Sequence, residues 1–181
     1  MRGSDELLEG CRQGSLPSFE RLYEEHGTRM KSIARNLLGS APDAEDAVQD
    51  AFLKVYRGIA RFRGGSSFST WVYRILVNVC YDRLRSRRRR QIVERPISAG
   101  LALAPAGETD HPLRLSIEAA LGRLEERERA AFLLCEVEGF SHREAGEILE
   151  VSEGSSRALL FKARRHLQEQ LRAGGAFEAA S

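Results

Sequence analysis

Apolar residues recur at three- and four-residue spacings along most of this chain, and nowhere does a two-residue alternation persist. That period lines one face of a helix with apolar groups and argues against strands. Phe19, Leu22, Tyr23, Met30, Ile33 and Leu37 make one such face, which Gly39 ends. A further helix starts within residues 40–43, where Pro42 costs no hydrogen bond. It turns Ala44, Ala47, Val48, Ala51, Phe52, Val55 and Ile59 inward. The glycine–serine run RGGSS (63–67) interrupts the pattern, and a helix over 68–88 resumes it with Trp71, Ile75, Leu76 and Val79 inside. Near the start, Ser4 reads as a helix cap followed by Asp5 and Glu6, where the helix dipole favours negative charge.

The periodicity vanishes over residues 91–112, which hold three prolines and two glycines. Such a stretch is too long for an interhelical turn and reads as an extended linker. Beyond it Leu113, Ile117, Ala120, Leu121 and Leu124 restore a stripe. A helix over 127–137 follows, carrying Ala131, Phe132 and Cys135 and stopped by Gly139. The expected fold is therefore all-α: a helical domain over residues 1–90, a flexible linker over 91–112, a second helical domain over 113–173, and a disordered tail over 174–181.

Composition narrows the function. Net charge is only +2 although 30% of residues are charged, so any affinity for nucleic acid must come from local segregation of charge. The opening MRGSDELLEGCRQG has no apolar core of the kind a leader needs, and no later run is apolar enough to span a bilayer. A cytoplasmic protein without membrane insertion is expected. Cys11, Cys80 and Cys135 lie far apart with no CxxC, which favours small core residues over disulfides or zinc ligands. His26, His111, His142 and His166 are scattered without a nucleophile, metal or phosphate-loop constellation, so neither an enzyme nor a cofactor is expected. His142, beside a helix cap, reads as a solvated first-turn residue.

Charge does segregate at residues 83–90, RLRSRRRR, which close the helix that carries Trp71, Tyr73, Asn78 and Tyr81. Arginine forks match phosphate oxygens, and aromatic rings stack on unpaired bases. A solvated basic helix end is the plainer alternative. In the second domain Ser141-His142-Arg143-Glu144 has the form of a capping box. Its short helix holds Ala145, Gly146, Ile148 and Leu149; the chain turns at Glu150 and Val151, and Ser152 caps a longer helix with Leu160, Ala163, Leu167 and Leu171 inside. Two helices, a tight turn and a small residue at the crossing describe a helix-turn-helix, whose second helix shows Arg157, Phe161, Lys162, Arg164 and Arg165 outward as a major-groove reader does.

Together DAEDAVQDAFLKVYR (43–57), FRGGSSFSTWVYRILVN (62–78), DRLRSRRR (82–89), LEERERAAFLLCEVEGFSHREAGEIL (124–149) and VSEGSSRALLFKARRHL (151–167) resemble regions 2 and 4 of bacterial sigma factors. The closest class is the extracytoplasmic-function (ECF, group IV) type, which keeps only those two domains. The resemblance implies an initiation subunit that binds RNA polymerase core through the β′ clamp coiled coil and the β subunit, recognises promoter DNA, and is held by an anti-sigma factor. It assigns core docking to Asp46, Gln49, Asp50, Leu53, Lys54 and Arg57. Leu53, apolar amid charges, independently suits a partner surface. Contact with the -10 element falls to Phe62, Gly64, Gly65, Ser66, Ser67, Trp71 and Asn78, with Arg83, Arg85, Arg87 and Arg88 on phosphates. For Trp71, a core aromatic and a wedge at the duplex fork are both open. The -35 element would meet Ser155, Arg157, Phe161, Lys162, Arg164 and Arg165.

The chain also departs from that pattern. Glu150 stands where the family has a turn glycine, Ser156 where it has valine, Leu159 where it has arginine, and Ser155 where it has threonine; a proline common near Glu125 is missing. Two other readings stay open: an ordinary helix-turn-helix regulator, which explains the second domain only, and a sigma mimic that binds an anti-sigma factor without touching DNA. The mimic should lack the promoter residues that this chain retains.

Overall fold

A computed structural model of the protein describes residues 2–93 and 112–173. The described residues are helical, with turns between the helices and no strand among them. The chain divides into two compact units, Met1–Leu84 and Arg85–Ser181. The expected linker lies mostly outside the described residues, and the expected tail wholly so.

The first unit holds α1 (Arg2–Arg12), α2 (Leu16–Leu38), α3 (Ala41–Gly58), a 3-10 turn (Ile59–Arg61) and the first part of α4 (Phe68–Val93). Ser4 lies inside α1, so the expected cap is instead an interior position. Gly39 takes φ 68° and its N–H donates to the Arg35 carbonyl at 2.8 Å, the left-handed stop that glycine adopts without a Cβ clash. Immediately after it the Ser40 hydroxyl accepts from the Asp43 N–H at 3.4 Å and opens α3. Leu22, Met30, Ile33 and Leu37 from α2 form the core with Ala47, Val48, Ala51 and Val55 from α3. From α4 come Val72, Tyr73, Leu76, Val77, Val79 and Cys80.

The expected inner face of α4 is displaced. Trp71 and Ile75 are only half-buried and flank a face centred on Val72, Leu76 and Cys80. Both sets fit helical spacing, and only the neighbouring helices choose between them. Phe52 is likewise half-buried, its ring 5.1 Å from that of Tyr23. Helix α4 also runs on to Val93, past its expected end: arginine is a good helix former, and no glycine or proline intervenes.

The second unit holds α5 (Pro112–Arg123), α6 (Glu126–Phe132), a wide π turn (Leu133–Val137), α7 (His142–Leu149) and α8 (Glu153–Ala173). Ala120, Leu121 and Leu124 pack on Ala163 and Leu167, with Phe132 and Leu171 against them. Ile117, expected inside, is exposed. The single helix expected over 127–137 loosens into the π turn, where the Glu138 N–H reaches back to the Leu133 carbonyl at 2.9 Å. Glu128 is buried, and its carboxylate is satisfied by His166 Nδ1 at 2.8 Å.

Candidate functional site

Ala44, Ala47, Val48, Ala51 and Val55 turn one face of α3 into the core, and that burial fixes what the opposite face presents. Asp46, Gln49, Asp50, Leu53, Lys54 and Arg57 are all exposed there, with Leu53 51% accessible. Tyr56, which sequence reasoning did not single out, is 58% exposed beside Phe19 at 5.0 Å between ring centroids. Its i,i+3 spacing from Leu53 was the available signal. Several charges of this stripe are already engaged. Arg83 donates to Asp50 at 2.5 Å and lies 3.8 Å from Asp46, while Lys54 stands 3.7 Å from Asp82. Arg83 thus faces the α3 stripe, apart from the exposed Arg85, Arg87 and Arg88.

The glycine–serine loop runs between two members of an aromatic cluster, the floor formed by Phe62, Phe68 and Trp71. Phe62 is only 8% exposed, its ring centroid 5.1 Å from Trp71 and 5.8 Å from Phe68, and Phe68 stacks on Trp71 at 6.0 Å. Trp71 is half-buried and also covers Gly58, where an added Cβ would come within 3.4 Å of its ring. Between Phe62 and Phe68, Gly64, Gly65 and Ser67 are exposed and Ser66 half-buried. Gly64 needs φ +79°, and an added Cβ at Gly64 or Gly65 would meet nothing within 4 Å, so the loop backbone is open to close approach. Ser67 is used structurally: its hydroxyl accepts from the Thr70 N–H at 3.0 Å and pairs with the Thr70 hydroxyl at 2.7 Å, capping α4. Asn78, two turns beyond Trp71, is half-buried.

Behind α4, Tyr73 carries its hydroxyl 3.1 Å from His26 Nδ1, with the Arg29 guanidinium 5.4 Å from the ring centroid. Burial lowers the His26 pKa, and Arg29 acts in the same direction against the raising effect of Glu25.

In the second unit the capping box forms as the sequence implies. The Glu144 N–H donates to the Ser141 hydroxyl at 3.2 Å, and the Ser141 N–H donates to the Glu144 carboxylate at 2.9 Å. Gly146 marks the crossing: a Cβ there would lie 2.9 Å from the Val151 carbonyl oxygen. Glu150 takes φ 56°, the one non-glycine with positive φ among the described residues. The Ser152 hydroxyl accepts from the Ser155 N–H at 3.1 Å and pairs with its hydroxyl at 2.8 Å, so Ser155 serves the cap of α8.

From that cap, α8 shows Arg157, Phe161, Lys162, Arg164 and Arg165 to solvent, Phe161 at 68%. Arg157 pairs with Glu153 at 2.5 Å, Arg164 with Glu136 at 2.5 Å, and Arg165 with Glu169 at 3.7 Å. Leu159 is half-buried. Ser156 is fully buried; its hydroxyl makes no full hydrogen bond and lies against the Cys135 thiol. Burial pushes that thiol up, opposed by Ser156 and Arg164. His142 is half-buried with Nδ1 3.7 Å from Cys135 Sγ, not the solvated residue its cap position suggests. Cys11 and Cys80 are buried, and burial raises Cys80 to about 12.

Among the described residues no group of three or more His, Cys, Asp or Glu is arranged to hold a metal, and no helix is long and apolar enough to cross a membrane.

Two family models match the chain: Sigma-70 region 2 over residues 22–90 and Sigma-70 region 4 over residues 114–167. The chain is 30% identical over 172 residues to the ECF RNA polymerase sigma factor SigM of Mycobacterium tuberculosis, covering 94% of this chain and 85% of that one. It is 33% identical over 164 residues to the ECF RNA polymerase sigma factor SigE of Mycolicibacterium smegmatis, covering 88% of this chain but 63% of that relative's length. Among solved structures it resembles the sigma factor RpoE of Bartonella quintana in complex with the anti-sigma factor NepR. There the TM-score is 0.71 at 28% identity, covering 87% of this chain and 98% of that one.

Proposed function

The chain belongs to the ECF family of RNA polymerase sigma factors, and on that premise we propose that it docks on core polymerase through α3 and divides promoter contact between its two units. The observation that carries this is the sidedness of α3. Asp46, Gln49, Asp50, Leu53, Lys54 and Arg57 all face solvent, while Ala47, Val48, Ala51 and Val55 between them are buried. An exposed leucine and tyrosine within a charged stripe suit a partner that buries a small apolar patch inside a polar rim. The occupant is the clamp coiled coil of the β′ subunit, with β contacts elsewhere.

Gly64, Gly65, Ser66 and Ser67 hold an extruded -10 base over the floor of Phe62 and Trp71, and Asn78 tests it with one donor and one acceptor. Phe62 acts from beneath as support. Trp71 serves both the core and, through its uncovered side, the fork. Arg85, Arg87 and Arg88 neutralise phosphates; Arg83 belongs with the α3 network. On the -35 duplex, Arg157, Phe161 and Lys162 reach base edges while Arg164 and Arg165 flank the backbone. Ser155 holds the helix start. Bond formation in RNA synthesis belongs to the polymerase, and the chain adds no catalytic group or cofactor. It works inside the bacterial cell and is held inactive by an anti-sigma factor, as the Bartonella relative is found in complex with one.

Run-off transcription by purified core polymerase, with and without this chain, on genomic fragments is the test. New start sites that depend on the chain are expected. No core binding and no new start sites would overturn the proposal. Asp50→Ala and Leu53→Ala together should impair core binding, whereas Asn78→Ala should spare it and damage -10 selectivity.

A further inference from the structure

We infer that Arg12 is a positioning residue for the -10 loop: from α1 it clamps the backbone at the loop's entry, so that the helix preceding the region 2 match takes part in base capture. The inference rests on the reading of the RGGSS run as the capture loop. Arg12 Nη2 donates to the Phe62 carbonyl at 2.7 Å, across 50 residues of sequence. Phe62 is the last residue before that loop, and its own N–H is spent on the Ile59 carbonyl at 3.1 Å, closing the 3-10 turn. One end of the loop is therefore tied by Arg12 and the aromatic floor, the other by the Ser67–Thr70 cap. Between these ties the exposed glycines have no side chains to hold them.

The donor is itself well placed. Leu7 and Cys11 bury the inner side of α1, and Gly10 leaves room for Ser18, whose hydroxyl would lie 2.1 Å from an added Cβ. This close fit keeps α1 against α2 and sets where Arg12 leaves the helix. Arg12 also stands 3.7 Å from Glu9, which shares its charge without removing the bond to Phe62. A guanidinium–carbonyl bond is charge-assisted and directional, which suits holding a short loop at one height. Because α1 precedes residue 22, where the region 2 match begins, that match does not assign this contact.

The experiment uses holoenzyme formed from core polymerase and the full chain, on a promoter with 2-aminopurine in the non-template -10 strand. Arg12→Ala should lower the equilibrium for base extrusion by about tenfold, the worth of one charge-assisted bond. Core affinity should stay within about twofold, because Arg12 lies off the α3 stripe and a twofold change is well under 1 kcal/mol. Arg12→Lys, which keeps a charged donor, should recover most of the signal, and hydrogen exchange in Arg12→Ala should quicken at residues 63–67. Gly64→Val strains the loop itself and serves as the control. Wild-type extrusion in Arg12→Ala beside a defective Gly64→Val would overturn the clamp and leave the capture loop standing. Normal extrusion in both would remove the capture reading as well. A parallel loss of core affinity and extrusion in Arg12→Ala would make Arg12 a residue of the fold, which also overturns the inference.

Discussion

Phe62 and Phe161 are both phenylalanines at positions assigned to promoter contact, yet one is 8% exposed and the other 68%. The first unit buries Phe62 and Phe68 at the two ends of a bare loop; the second presents an aromatic ring directly from a capped helix. The difference matches two tasks. A base leaving its stack needs a pocket with open backbone around it. An intact duplex offers edges in a groove that a stiff helix can enter with its side chains already aimed. The cations differ in exposure as well: Arg157, Arg164 and Arg165 stay exposed while paired to carboxylates, whereas Arg83 is half-buried on Asp50 of α3.

The contrast breaks most visibly under alanine. Phe62→Ala should cost about 3–5 kcal/mol of stability in chemical unfolding, because it empties the floor shared with Phe68 and Trp71. Phe161→Ala should leave stability within about 0.5 kcal/mol and instead weaken binding to a -35 duplex by about 1.5–3 kcal/mol, read by fluorescence titration. Equal unfolding penalties for the two would erase the distinction. Glu150→Gly should stabilise the second unit by about 1 kcal/mol in thermal melts, since glycine occupies φ 56° without the Cβ clash. No gain would mean that the Glu150 side chain compensates its own strain.

Smaller effects sharpen the arginine contrast. Arg83→Ala, which loses an exposed ion pair, should change stability by less than about 1 kcal/mol. It should leave the salt dependence of promoter binding unchanged, while Arg87→Ala should reduce that slope by about 0.9. The subtlest test is pH. Because burial lowers His26 from 6.5 in the folded chain, its contribution is full above pH 6.5 and is lost as pH falls from there through the folded value. Unfolding midpoints should therefore decline on acidification below that pH, and His26→Asn should flatten the decline.

Helical period, turn glycines and caps are local, and so Gly39, Ser40, Ser141–Glu144 and Gly146 could be read before any packing was known. The stripe on α3 was legible for the same reason: once its inner positions are apolar, the outer ones follow from geometry. The left-handed turn at Glu150 was legible through the resemblance alone, which places a glycine there.

Long-range partners were not. Nothing in residues 83 to 90 says that the first arginine meets Asp50, because that depends on where α4 crosses α3. The inner face of α4 had two equally periodic candidates, and the neighbouring helices chose the one through Val72 and Leu76. The burial of Phe62 beside Phe68 and Trp71 was not legible either, and Arg12 showed no role until α1 brought it to a carbonyl fifty positions away. Local spacing determines which faces a helix has. Which side chains across the core meet those faces is decided by tertiary packing, because helix spacing carries no information about crossing angle or register.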